Sequence, residues 1–301
     1  MEHTPVLSDA VTKLLAPQDG DIVLDATLGF GGHAKALCAS AGITLIGIDA
    51  DSHARQESEK VLTEAGCVTK ILGGNFRNLK ELLAREGITE INRALFDLGV
   101  SSYQLDSAGR GFSFRESAYG EPLGMTLSDI PEESVANAET IVNEWREETL
   151  ADIIYGFGEE RYAKRIARAL VEARKEKGIH TVGELVGIIH DAVPARYRNG
   201  RIHFATRTFQ ALRMAANDEL GALKEGLEST WEVLADGGRI AVISFHSIED
   251  RVVKRQFQEY ARAGGGMLIT KKPVVAEEKE VTNNPRARSA KLRVIEKNTH
   301  D

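Results

Sequence analysis

The stretch "DATLGFGGHAKAL" (Asp25 to Leu37) has the residue types and spacing of a turn that holds a ligand. Gly29-x-Gly31-x-x-Ala34 lets backbone pass close to a bound group, and an acid, Asp49, follows twenty residues after Gly29. An acid there can accept both hydroxyls of a ribose. No Gly-Lys-Ser/Thr follows, so a P-loop is excluded. Three readings stay open at this point: a dinucleotide, a nucleoside without phosphate such as S-adenosylmethionine (SAM), or a purely structural glycine turn.

The surrounding elements decide what such a turn is for. "DIVLDATL", "ITLIGIDAD", "CVTKILGGNF" and "INRALFDLGV" read as four strands, each followed by a helical pattern in the first hundred residues. Tandem βα units predict a doubly wound parallel sheet. From Ser101 to about Thr206 no strand pattern occurs, and a loop, "GRGFSFRESAYGEPLGMTLSDIPEES", leads into several helical patterns. A long helical stretch, "ATRTFQALRMAANDELGALKEGLESTWEVLA", then leads through "DGG" to the strand "RIAVISF" (Arg239 to Phe245). After one more helix, "GMLITKK" and "AKLRVIEK" complete seven strands, the last two able to pair as a hairpin. The expected division is a discontinuous sheet domain, 1–105 with 206–301, and a helical insert, 106–205.

Three features favour SAM over a dinucleotide. The closing strands do not mirror a second mononucleotide half. The fourth strand ends at Asp97, at the carboxyl edge where such sheets bind ligands. No second glycine fingerprint is present. The predicted fold is therefore α/β, a class I SAM-dependent methyltransferase with a Rossmann-like seven-stranded sheet and an inserted helical subdomain.

Bulk properties are compatible with this. The chain has 301 residues, 42% hydrophobic and 28% charged, and a net charge of −7. Acidic balance argues against nucleic acid, but the cations cluster in Arg161–Lys177, Arg196–Arg213 and Asn283–Arg293. Each cluster reads either as a solvated face or as a nucleic-acid contact. No apolar run spans a bilayer, no signal peptide opens the chain, and the two cysteines, Cys38 and Cys67, have no paired spacing. A cytoplasmic setting, no membrane and no metal are expected; the oligomeric state is not legible.

In order, "HTPVL", "DATLGFGGHA", "GIDAD", "FDLGVSSYQLD", "RGFSF", "YGFGEERYAKRIARAL", "ATRTFQALR", "ISFHSIEDRVVKRQF" and "NPRARSAKLR" resemble the RsmH (MraW) family nearly end to end. That family transfers methyl from SAM to the N4 amine of a cytosine in the decoding region of 16S ribosomal RNA, so the resemblance implies this activity. It implies 16S rRNA, within the small ribosomal subunit, as partner and the helical insert as the substrate-facing part. It assigns the cofactor site to Gly31, Gly32, His33, Asp49, Phe76, Asp97 and Gln104, with Phe76 over adenine and Asp97 and Gln104 flanking the sulfonium. The chain departs from the family pattern at Gly124 and Thr126, where members usually carry aspartate and arginine, and at Phe204, where proline is usual. The segment between "VVKRQF" and "NPRARSA" is also short. The first departures fall where RNA contacts are expected.

An exocyclic amine is a weak nucleophile that must be aligned and relieved of a proton, a task assigned to Asp97 with backbone carbonyls of "DLGVSS". Neither cysteine sits at the catalytic edge, which disfavours carbon-5 methylation through a thiolate. Tyr103, Phe112 and Phe114 are candidates to stack an extruded base, with Arg207 as a further substrate contact; Phe112 and Phe114 read equally well as packing. Ser244, His246 and Asp250 lack a nucleophile elbow, and Ser247 reads as the cap of the next helix. His3 and His203 read as packing or phosphate contacts, since no second ligand lies at metal spacing. Rival readings are an amino-methyltransferase for DNA or another RNA, a SAM-binding ribosome-assembly factor without turnover, and a dinucleotide oxidoreductase.

Overall fold

The computed structural model describes residues 5–106, 109–129 and 136–299; His3 lies outside them. Packing divides the chain into two compact units, Met1–Gly99 with Leu220–Asp301, and Val100–Glu219. The sequence pattern sets these joints at 105/106 and 205/206. They lie further out because Val100 and Leu105 on one side, and Phe209, Ala211, Leu212 and Ala216 on the other, pack into the core of the helical unit.

The sheet unit holds eight strands, not seven: β1 (Ile22–Asp25), β2 (Thr44–Asp49), β3 (Val68–Gly73), β4 (Ile91–Asp97), β5 (Leu234–Ser244), β6 (Gly266–Leu268), β7 (Val274–Val275) and β8 (Lys291–Lys297). Their order is β3-β2-β1-β4-β5-β8-β6, with β7 on β8. The first five are parallel, and β8 returns antiparallel against β5. This order, with its reversed closing strand, is the class I methyltransferase arrangement of the doubly wound sheet. The extra strand, β7, has two residues, too few to leave a period-two signal. The two closing strands expected from the sequence, β6 and β8, do pair antiparallel, but β7 and a helix intervene, so they form no tight hairpin.

Helices α1 (Ser8–Leu15), α2 (Gly32–Ser40), α3 (Ser52–Glu64) and α4 (Leu79–Arg85) belong to this first half. Alternation along the strands sends Val23, Leu45, Leu95 and Ile243 into one apolar cluster and Leu24, Ile46, Phe96 and Val242 into the other. Both faces are thus covered, as a parallel sheet requires. Asp51 starts α3 by accepting from the amides of His53 and Ala54.

The helical unit contains α5 (Ser102–Asp106), α6 (Ala138–Glu144), α7 (Glu147–Gly156), α8 (Ala163–Glu176), α9 (Val182–Ala192), α10 (Ala195–Arg198) and α11 (Thr206–Ala216). Its only β feature among the described residues is an isolated bridge between Pro122 and Thr181. The helical stretch after it is not continuous: α11 ends, and α12 (Glu219–Val233) begins after Asn217 and Asp218. Asp218 takes φ 43°, and the Asn217 side chain donates to the Met125 carbonyl, so this pair spends its polar groups on a turn instead of a helix. The "DGG" lies inside β5, which therefore starts five residues earlier than its apolar run suggests. Helix α13 (Ser247–Arg262) is capped by His246, not Ser247: the ring accepts from the Glu249 amide, and Glu249 answers in a capping box. A last helix, α14 (Glu278–Asn283), precedes β8.

Candidate active site at the carboxyl edge of the sheet

The strand order reverses between the parallel β1 and β4: β2 and β3 lie to one side, β5 and β8 to the other. The crevice beyond the carboxyl ends of these two strands is where doubly wound sheets bind ligands. Gly29, Gly31, Gly32, His33, Asp49, Phe76 and Asp97, all singled out in the sequence, stand on its rim or in the turn above it. Gly29 and Gly31 adopt φ 51° and 77°, a conformation that L side chains resist. The turn is closed by the Gly31 amide donating to the Leu28 carbonyl. Gly47 on β2 must also lack a side chain, since a Cβ there would stand 2.6 Å from Leu28 of the same turn.

Asp49 joins this turn directly. Its Oδ2 accepts from the Gly29 amide at 2.8 Å and its Oδ1 from the Asp51 amide at 2.8 Å. Desolvation nonetheless raises its pKa, outweighing those two donors. The Phe76 ring stands edge-on to Phe96 of β4, 5.5 Å between centroids, and leans on Gly226 of α12, where a Cβ would come within 2.8 Å. One face of that ring is therefore braced by the protein.

Asp97 ends β4. Its amide donates to Thr27 Oγ1 at 2.6 Å, tying strand β4 to the turn after β1. Its side chain is 27% exposed, its Oδ2 is 3.6 Å from Nε2 of the buried His33, and its Oδ1 is buried with no hydrogen-bond partner. Burial, then the charges of Asp25 and Glu249, push its pKa up to about 8. Asp25, at the end of the neighbouring β1, is fully buried and raised to about 7, again chiefly by desolvation, with Asp49 adding to it.

Asp25 and Glu249 are the members of this cluster that sequence reading passed over. Asp25 was visible as the one polar residue closing an apolar run; Glu249 reaches the site only through the cap of α13. The arrangement has one electrostatic meaning. Three desolvated carboxylates, Asp25, Asp49 and Asp97, disfavour a pyrophosphate and favour a ligand carrying positive charge. The hydrolytic constellation is absent, because Asp250 is held by Arg293 at 2.6 Å and Ser244 by the Lys291 carbonyl.

The remaining candidates lie in the helical unit. Gln104 is buried on α5, and its Oε1 accepts from the Ser101 amide; Tyr103 beside it is half-buried. Phe112 is a core residue at 5% exposure under the Arg110 guanidinium, which removes it from the stacking candidates and gives it a packing role. Phe114 stacks on His203 at 4.7 Å and meets Phe209 edge-on. Arg207 donates to the Glu159 carbonyl at 3.1 Å. Phe204 is buried against His190 and His203, so this departure is a core substitution and not a surface one. Arg110 donates to the Thr126 carbonyl and its own carbonyl accepts from the Met125 amide, whereas a Cβ on Gly124 would meet that carbonyl only at an ordinary 3.4 Å.

The chain is similar over nearly its whole length to curated proteins. The ribosomal RNA small subunit methyltransferase H of Deinococcus radiodurans is 46% identical over 297 residues, covering 98% of this chain and 89% of that one. The protein of the same name from Heliobacterium modesticaldum is 44% identical, with 98% of each chain covered. Among solved structures, an rRNA methylase from Streptococcus thermophilus aligns over 97% of this chain and 94% of that chain, at 13% identity and a TM-score of 0.45. The family model described as the MraW methylase family matches residues 1–298, spanning the glycine turn, all three strand-end carboxylates and the whole helical unit; the chain belongs to that family.

Proposed function

We propose that this protein transfers a methyl group from SAM to the N4 amine of a cytosine in 16S rRNA, in the decoding region of the small ribosomal subunit. The observation that carries the chemistry is the buried, unpartnered Asp97 Oδ1 at the switch point of a MraW-family chain. SAM fits the residues present, since its sulfonium and ammonium supply the positive charge that Asp25, Asp49 and Asp97 lack. Bound there, it offers an electrophilic methyl group on sulfur.

The chain's own residues do the rest. The Gly31-Gly32-His33 turn passes backbone along the methionine portion, and Asp49 accepts from the ribose hydroxyls with the lone pairs that Gly29 and Asp51 leave free. The braced ring of Phe76 covers adenine. Asp97, brought back to its ionised form by the neighbouring cation, accepts a hydrogen bond from the cytosine amine and aligns its lone pair on the methyl carbon. As the N–C bond forms and the S–C bond breaks, Asp97 holds the proton that the amine sheds. Gln104 is assigned to the cofactor by family resemblance alone. Tyr103, Phe114 and Arg207 are the proposed substrate contacts, and the helical unit is the RNA-recognising part. No helix among the described residues is long and apolar enough to cross a membrane; a ribosomal substrate places the protein in the cytoplasm.

The test is methyl transfer from labelled SAM to unmodified small subunits, naked 16S RNA and duplex DNA, with the product nucleoside identified by mass. N4-methylcytidine from subunits is the expected result. Product on DNA alone moves the substrate to DNA, and no product with SAM still bound moves the protein to an assembly factor without turnover.

A further inference from the structure

The cations of α8 are not equivalent. Lys175 and Lys177, at its carboxyl end, are tied to Glu172 at 2.8 Å and to Glu184 of α9 at 2.7 Å. Arg161 in the preceding turn, and Lys164, Arg165 and Arg168 on the helix, are exposed and form no ion pair among the described residues. Their spacing of three, four and seven residues puts them on one face, opposite the buried Ala163, Ile166, Ala167 and Leu170. Lys254, Arg255 and Arg262 on α13 are also exposed without an ion pair, but among the described residues none of them is seated on aromatic rings as the α8 stripe is. Helix stability does not ask for this stripe, because cations in the first turns oppose the positive end of the helix dipole.

Arg161 is moreover held in place without being neutralised. Its guanidinium lies 4.9 Å from the ring centre of Tyr162 and 4.8 Å from that of Tyr197, and the two rings meet edge to face at 5.0 Å. Ring contacts orient a guanidinium but leave its full charge outward. The rings are themselves fixed by Glu160, fully buried, which accepts from the Tyr197 hydroxyl and from the Tyr162 amide. Arg165 approaches the free side of Tyr162 at 5.9 Å.

We propose that this stripe, Arg161, Lys164, Arg165 and Arg168 on the Tyr162–Tyr197 platform, docks the phosphodiester backbone of the RNA substrate. The proposal rests on the rRNA reading above and adds a surface of the helical unit that grips the substrate backbone. Lys164 to Arg168 rises about 6 Å along the helix, and with Arg161 in the preceding turn the stripe matches about two to three successive phosphates of one strand. Phosphate contacts of this kind position a substrate without reading its sequence.

The experiment compares K164A/R165A/R168A with K175A/K177A, in which the paired cations of the same helix are removed. All are exposed positions where alanine keeps the helix. For the first variant, the expected result is a KM for small subunits raised roughly tenfold or more, and a log–log salt slope reduced by about 2 to 3. Its kcat and its SAM affinity stay at wild-type values, and the second variant stays close to wild type throughout. Unchanged KM and slope in the first variant, or equal effects in both, overturn the proposal. A defect on subunits with unchanged retention of naked 16S RNA also overturns it, pointing to an acidic protein surface instead. Retention of naked RNA needs no methyl transfer, so it tests the stripe even where the catalytic reading fails.

Discussion

Each unit of this protein carries charged groups that no side chain of fixed opposite charge neutralises, and the two sets differ in sign and in setting. At the sheet edge the charges are carboxylates withdrawn from water: Asp25 and Asp97 are raised to about 7 and about 8. On α8 they are guanidinium and ammonium groups standing in water. Desolvated charge can be kept neutral by a proton until a counter-charge arrives, so it reports on its ligand through pH. Solvated charge cannot be switched in this way and reports on its ligand through salt. The sheet edge is thus built to meet a compact cation, and the stripe an extended anion.

The comparison breaks first at Asp97, where the largest effect is expected. Asp97→Asn keeps the shape, and its amide can still meet His33, but it cannot take a proton from the amine. Turnover should fall by roughly 10²- to 10⁴-fold, the range of a positioned general base. Subunit binding and its salt slope should stay unchanged, because those belong to the stripe. A variant with near-normal kcat would remove Asp97 from the chemistry and leave it only a cofactor contact.

A second effect follows from the sign of the carboxylate shifts. An unfolded aspartate ionises near ~3.9, whereas Asp25 and Asp97 in the ligand-free fold hold their protons to about 7 and about 8. Between those limits the folded protein binds more protons than the unfolded chain, so these groups withdraw stability as pH rises, and withdraw no more above the upper value. The ligand-free Tm should therefore be lower at about pH 8.5 than at about pH 5.5, by a few degrees. SAM should reduce the difference. Its affinity should rise with pH over the same window, and that of S-adenosylhomocysteine, uncharged at sulfur, should rise less. Equal pH profiles for the two ligands would show that the cluster does not sense the sulfonium.

Much of the sheet unit was legible because its signals are local. Apolar runs ending in acid placed Asp49 and Asp97 correctly on strand ends, and the glycine turn declared its own backbone demand. What escaped depends on partners distant in sequence. Cys38 and Cys67 have no motif spacing, yet they come within hydrogen-bond reach, and burial with this contact pushes the Cys38 thiol up to about 12. The three basic segments looked alike. The structure separates them in part: Arg293 is buried on Asp250 and Arg213 is bidentate on Glu219. Arg196, Arg201 and Arg288 are exposed without an ion pair among the described residues, as is the first half of α8, where such cations share one helix face. Spacing along one helix cannot show that Lys177 finds Glu184 on the next. Nor could hydropathy separate α11 from α12, since the break lies in the polar contacts of Asn217 and Asp218.

The smallest effect expected sharpens the comparison from the other side. Glu160 in the helical unit is as buried as Asp25, yet it has donors for both oxygens: the Tyr162 amide and the Tyr197 hydroxyl. Such a carboxylate is a strut and not a waiting site. Glu160→Gln must set its amide group against one of those donors, which should cost about 1–3 kcal/mol of stability, the penalty of leaving one buried donor unpaired. The Tyr197 phenol, raised to about 12 by burial and by hydrogen bonding and charge from Glu160, should ionise at lower pH in the variant, visible as phenolate absorbance. SAM affinity and its pH dependence should be unaffected. The KM for subunits should rise modestly, because Arg161 loses the two rings that hold it in register. If stability and phenol titration both stay at wild-type values, Glu160 does not brace the platform, and Arg161 must owe its position to something other than the paired tyrosines.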